Sequence, residues 1–159
     1  MEQIDNLEQT LAFKIAKLSN LISQPFYIKY GKDEDLYLPE WRIIQTLAIN
    51  PKITSKQLCQ IIGMHKMNVS RAVKRLEKLG RLQCETANND KRAKLLELTA
   101  EGQKLYERLK PGAQARASEL ASGLSNDEIK ILNDLINKLI VKAGVGLEVS
   151  ALSTRLKIK

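Results

Sequence analysis

Apolar residues recur every three or four positions over most of this chain, and the register of that recurrence marks out its elements. Ile4, Leu7, Leu11, Ile15, Leu18, Leu21 and Ile22 stand at helical spacing among Glu, Lys and Asn residues, predicting a long first helix that Pro25 ends. So early a stripe has little of its own domain to pack on, so it is expected to meet the C-terminal helices or a second subunit. Pro39 suits the first turn of the next helix and Glu40 its positive end; Trp41, Ile44, Leu47 and Ala48 form the inward stripe, and Asn50-Pro51 stops it. After Gly80 the period falls to two. Leu82, Cys84 and Thr86 alternate with Arg81, Gln83 and Glu85, Ala87-Asn88-Asn89-Asp90 reads as a turn, and Lys94 to Leu98 returns as a second strand. Thr99 caps a further helix with Leu105 and Leu109 inward, and Pro111-Gly112 predicts a kink or break before the helix resumes. Ser125 with Glu128 forms a capping box that opens a last helix carrying Ile129, Leu132, Leu135, Ile136, Leu139 and Ile140, with Gly144 and Gly146 at its end.

The stretch from Ile53 to Gly80 organises the rest. Thr54 followed by Gln57 fits a capping box, so a short helix starts there and carries Leu58, Cys59, Ile61 and Ile62 inward. Gly63 supplies the left-handed residue that ends it, and a second helix begins near His65 or Lys66. That second helix puts Val69, Ala72, Val73, Leu76 and Leu79 on one stripe. Its other face holds Lys66, Met67, Asn68, Ser70, Arg71, Lys74, Arg75 and Lys78, with Glu77 the single acid. Two short helices about a glycine turn make a helix-turn-helix, whose second member enters the DNA major groove. An ordinary helical hairpin with a solvated basic face has the same pattern.

Charge separates the two. The 159 residues carry 26 Lys and Arg against 18 Asp and Glu, a formal +8. Between Lys52 and Lys94 stand eleven basic and three acidic residues, while the remaining chain has fifteen of each. The whole excess therefore lies on the helix-turn-helix and its surroundings, as a polyanion site requires and general solubility does not. A length of 159 residues suits one domain with a core, or a small domain plus oligomerisation helices. No run approaches the ~18 apolar residues of a membrane span. The opening MEQIDNLEQT lacks a secretory pattern, so a cytoplasmic protein is expected. Cys59 and Cys84 then read as reduced, inward-facing core residues.

Catalytic and metal chemistry find no footing. His65 is the sole histidine; no Cys/His cluster at metal spacing, glycine-rich phosphate loop or Ser/His/Asp set can be assembled, so neither an enzyme nor a cofactor is expected. Phe26, Tyr27, Tyr30 and Tyr37 gather most of the few aromatics into one segment before Trp41, which suggests a loop lining something. As single residues these, like Trp41, are more often core than ligand cage.

The order helix, helix, helix-turn-helix, hairpin, two terminal helices resembles the MarR family of winged-helix transcription regulators. The resemblance rests most firmly on Asn89 to Gly102, NDKR followed by LELTAEG, which is similar to the family's wing signature, and on Val69 to Gly80, VSRAVKRLEKLG, which is similar to its recognition helix. It implies a mainly α fold with a small β-hairpin wing: N-terminal dimerisation helix and aromatic loop over 1–36, winged helix-turn-helix over 37–99, C-terminal dimerisation helices over 100–143, and a tail over 144–159. It also implies a homodimer on a pseudo-palindromic duplex. Lys66, Met67, Asn68, Ser70, Arg71 and Lys74 would face the major groove, with Ser55 and Lys56 beside them. At the wing tip Asp90 would brace Arg92 into the flanking minor groove, next to Lys91. A small aromatic acid would sit near Tyr27, Tyr30, Trp41, Arg42 and His65, with Arg42 as carboxylate partner. Three positions depart from the pattern: His65 replaces the usual Ser, Asp or Thr cap, Pro111-Gly112 interrupts a helix normally continuous, and the first helix has no cysteine of the peroxide-sensing branch.

The expected function is sequence-specific transcriptional regulation, as a repressor released by the ligand. The alternative is a winged-helix module that binds DNA without preference, or an acidic protein, without ligand control.

Overall fold

The computed structural model describes residues 7–26, 28, 31–87 and 90–144, with the backbone alone at 7, 87 and 90–93. It divides into two compact units, Met1–Arg42 and Ile43–Lys159.

In the first unit a short 3-10 turn at Leu7–Gln9 precedes α1, Leu11–Phe26. The expected helix running unbroken from Ile4 is corrected here, and Ile4 itself lies outside the described residues. Thr10 starts α1 by accepting the Phe13 amide at 3.2 Å, a local cap that a period count does not register. Nor does Pro25 end the helix. It sits in the last turn, where only one helical bond is lost. The stripe Leu11, Ile15, Leu18, Leu21 and Ile22 is exposed.

The next helix, α2 (Leu38–Ile49), starts where Pro39 and Glu40 place it. Glu40 is only 3% exposed, and its carboxylate accepts the Tyr37 amide at 2.9 Å, which satisfies both the charge and a free helix-end N–H. Trp41, Ile44 and Leu47 are buried as the stripe requires, and Ile43 is buried beside them.

In the second unit, β1 (Ile53–Thr54) leads into α3 (Ser55–Ile62) and α4 (Lys66–Lys78). Then follow β2 (Leu82–Ala87), β3 (Asp90–Leu98), α5 (Ala100–Ala121) and α6 (Asn126–Ala143). The sheet is antiparallel in the order β1-β3-β2, so the two-stranded hairpin expected from sequence gains a third strand. Ile53 pairs with Leu96 and Thr54 with Leu95; two residues are too few to show an alternation. Ala87 pairs with Asp90, and the register shifts between Thr86 and Ala87, so β3 begins at Asp90 rather than Lys94.

Leu58, Val69, Val73, Leu76, Leu82, Leu96, Leu105 and Leu109 are all buried, joining α3, α4, the sheet and α5 in one core. Side chains so buried contribute roughly 1.5–3 kcal/mol each against leaving them in water. Of the kink or break expected at Pro111, the break does not occur: α5 runs continuously through it. Pro111 is exposed, and the carbonyl it deprives of a helical partner belongs to exposed Glu107, so the cost stays local. The capping box of Ser125 and Glu128 opens α6 as expected. Leu132, Leu135, Ile136, Leu139 and Ile140 stand exposed along it.

Candidate nucleic-acid interface

The interface begins with how α3 and α4 are held. Thr54 Oγ1 accepts the Gln57 amide at 3.2 Å while Gln57 Oε1 accepts the Thr54 amide at 2.9 Å. Gly63, at φ 66°, closes α3 in the left-handed conformation that favours glycine. His65 then caps α4: its Nδ1 accepts the Met67 amide at 3.3 Å. An imidazole nitrogen thus stands in for the hydroxyl or carboxylate oxygen usual at this position.

Burial of Val69, Ala72, Val73 and Leu76 fixes the rotation of α4 about its axis. Lys66, Met67, Asn68, Ser70, Arg71, Lys74 and Lys78 are consequently all exposed. From Lys66 to Lys74 this face holds no carboxylate, and Arg71 Nη2 donates to Asn68 Oδ1 at 2.9 Å across one helical turn. Ser55 and Lys56 are exposed in the first turn of α3. Arg75, placed on the outer face by periodicity, is half-buried.

The far end of α4 is closed by a Schellman motif. Gly80, at φ 66°, donates to the Glu77 carbonyl at 2.9 Å, and the Arg81 amide reaches back to the Leu76 carbonyl at 2.9 Å. The start of α5 is bonded directly to this turn. Thr99 Oγ1 donates to the Gly80 carbonyl at 2.6 Å and accepts the Gly102 amide at 3.1 Å, while the Thr99 amide donates to the Arg81 carbonyl at 3.2 Å. A β-carbon at Gly102 would lie 1.9 Å from the Arg81 carbonyl oxygen, so only glycine lets the two backbones approach this closely. Sequence reading identified Thr99 as a cap and missed this second bond, which no local pattern announces.

The base of the wing has a brace that the sequence did not reveal. Lys52 adopts φ 58°, a strained conformation for a residue with a side chain, and its Nζ lies 3.3 Å from Glu85 of β2 and 3.8 Å from Glu97 of β3. Gln83 Nε2 donates to Glu97 at 2.6 Å. The Gln83 bond, and next the Lys52 charge, hold the Glu97 carboxyl below its ordinary range; the bond and charge of Glu85, then Glu97, raise the Lys52 ammonium. At the tip, Asp90, Lys91 and Arg92 lie in β3, but their side chains fall outside the described residues.

Of the candidate ligand residues, Tyr27 and Tyr30 also lie outside the described residues. Trp41 is buried and stacks on Phe26, with ring centroids 5.8 Å apart. Arg42 is exposed, and His65 is occupied as the cap of α4. Burial and the neighbouring Glu77 carboxylate push the Cys84 thiol up to about 11, and burial also raises Cys59. Among the described residues no group of His, Cys, Asp and Glu could hold a metal ion, and no helix is long and apolar enough to cross a membrane.

Comparison with known proteins agrees with this geometry. The MarR family model matches residues 34–93. The HTH-type transcriptional regulator FarR of Neisseria gonorrhoeae is 31% identical over 100 residues, which span 63% of this chain and 68% of that protein. A MarR/EmrR family transcriptional regulator from Acinetobacter sp. ADP1, solved by crystallography, is similar at 29% identity and a TM-score of 0.80, over 87% of this chain and 97% of that one. BpsR of Bordetella bronchiseptica, whose DNA binding is regulated by 6-hydroxynicotinic acid, shares the fold at 17% identity and a TM-score of 0.76, covering 84% and 95%. A recognition helix with a donor-rich outer face, a three-stranded wing and these relatives lead to one conclusion: the chain belongs to the MarR family of winged-helix, DNA-binding transcriptional regulators.

Proposed function

We propose that two copies of this chain grip a pseudo-palindromic operator, repress transcription there, and let go when a small aromatic acid binds. The observation that carries the reading is the outer face of α4, exposed, cationic and free of carboxylates from Lys66 to Lys74, held against a core that sets its rotation. In this reading Lys66 and Lys74 neutralise phosphates, with Ser55 and Lys56 beside them on α3. Asn68, Ser70 and Arg71 read base edges, and Met67, 58% exposed on a polar face, meets a thymine methyl. Arg92, with Asp90 and Lys91, enters the flanking minor groove.

A single recognition helix covers too few bases to select an operator. The exposed apolar stripes of α1 and α6 support a homodimer built from the segments 1–36 and 100–143, which would set two α4 helices about one helical turn apart, ~34 Å. Ligand control follows from that spacing: an acid that binds better when the lobes are mis-spaced lowers DNA affinity by the factor that DNA lowers acid affinity. Regulation of BpsR by 6-hydroxynicotinic acid supports an aromatic acid as the class. Tyr27, Tyr30, Trp41, Arg42 and His65 are the residues proposed to meet it.

The test uses the duplex upstream of the chain's own gene, titrated at fixed salt, followed by a panel of hydroxybenzoates and hydroxycinnamates. Release of the duplex with quenching of Trp41 fluorescence is the expected result. Tight binding that no acid relieves would remove the ligand from the account. Equal affinity for every duplex would leave only a non-specific module.

A further inference from the structure

Within α4, the 2.9 Å bond between Arg71 and Asn68 decides what both side chains can read. An unengaged asparagine recognises adenine by accepting from N6 with its carbonyl while donating to N7 with its amide. Here the Asn68 carbonyl is held by the Arg71 guanidinium. An adenine N6 amino group could reach only the oxygen's second lone pair, where it would lie beside the charged guanidinium and be repelled by it. What Asn68 offers free of that repulsion is its NH2, a donor. Arg71 keeps the rest of its N–H fork, again donors only, and the bond fixes where that fork sits, so less rotamer freedom is lost on meeting a base. No carboxylate nearby supplies a stronger acceptor, since no Asp or Glu stands between Lys66 and Lys74.

We infer that Asn68 and Arg71 form one composite reader that takes only acceptor edges in the major groove. It therefore selects, in each operator half-site, a guanine next to a second base bearing a major-groove acceptor, that is, any base but cytosine. Guanine offers N7 and O6 to the Arg71 fork; a neighbouring O6, O4 or N7 takes the Asn68 amide. Adenine at the first position presents one acceptor and one donor, and cytosine presents a donor alone. Asn68 is thereby a specificity-determining residue through what it withholds as well as what it donates. The inference rests on the operator-binding reading above and names the bases that reading leaves open.

The experiment selects duplexes from a randomised pool with the full-length protein, then measures affinity by fluorescence anisotropy at one salt concentration. Three duplexes are compared: the selected one, one with guanine replaced by 7-deazaguanine, and one with guanine replaced by adenine. For the parent protein, each replacement is expected to weaken binding about tenfold. In Asn68→Ala the guanine-over-adenine ratio is expected to fall several-fold, because Arg71 loses its brace. Asn68→Asp keeps an acceptor for Arg71 but has no donor, so it should retain the guanine preference and lose the one beside it. An Asn68→Ala protein that selects the same bases with the same ratios overturns the inference while leaving operator binding intact. So does a parent that selects adenine in place of the guanine, or cytosine beside it. If the parent enriches no sequence from the pool, the operator reading itself fails and takes this one with it.

Discussion

The hydroxyl of Thr99 donates to the carbonyl of Gly80 at 2.6 Å and in the same position accepts the amide of Gly102. One oxygen thus ends the recognition helix α4 and begins α5. Replacing it by the isosteric Thr99→Val keeps the volume and removes both bonds. A cap is worth about 1 kcal/mol and a neutral hydrogen bond a similar amount, so a loss of roughly 1–2 kcal/mol is expected. Urea denaturation at a fixed protein concentration checks it; an unchanged midpoint would show that the junction contributes nothing.

Gly102→Ala tests the same junction by crowding instead of deletion. Its new methyl would meet the Arg81 carbonyl oxygen at 1.9 Å, and backbone must move to admit it. Overpacking of this kind costs about 1–3 kcal/mol and, unlike Thr99→Val, displaces Arg81 and with it the end of α4. The expected result is a lower urea midpoint together with weaker operator binding per folded molecule. Parent-like binding and stability would mean that the helix start yields freely.

Much of this site was legible beforehand because its signals are local. The capping boxes at Thr54 and Ser125, the left-handed glycine at 63, and the inward stripe of α4 each depend on residues within one or two turns, and each lies where spacing put it. What escaped depends on residues far apart in sequence. Strand β1 is two residues long and exists because β3 pairs with it, and Lys52 finds Glu85 and Glu97 only once that sheet has formed. The break expected at Pro111 failed for a different reason: a proline removes one bond, and the turns on either side of an exposed position hold without it.

The thiols give a chemical expectation. With Cys84 pushed up to about 11, only about one molecule in a thousand carries its thiolate at pH 8. Iodoacetamide should therefore modify Cys84 in the folded protein at least tenfold more slowly than in the urea-unfolded chain, and hydrogen peroxide should not release bound DNA. Rapid labelling, or peroxide-driven release abolished by Cys84→Ser, would contradict that.

The wing brace makes stability depend on pH with a defined sign. Because the folded Glu97 carboxyl titrates below its ordinary value of 4.5, its contribution is complete above that value and is lost as pH falls through the folded pKa. Lys52 is raised above 10.5, so its share is present below that value and disappears as pH climbs through the folded pKa. Thermal melts of the parent and Glu97→Gln should differ most between these limits and converge in acid. A gap that is constant down to pH 3 would rule the brace out.

Selectivity at matched salt tests the whole account most directly. The duplex upstream of the gene and a scrambled duplex of equal length and composition are each titrated with the protein, from 50 to 200 mM salt. The account expects steep salt dependence for both, as phosphate contacts require, and an affinity ratio of about a thousand or more that Arg71→Ala collapses. The same affinity for both duplexes at every salt concentration, or an Arg71→Ala protein as selective as its parent, would contradict it.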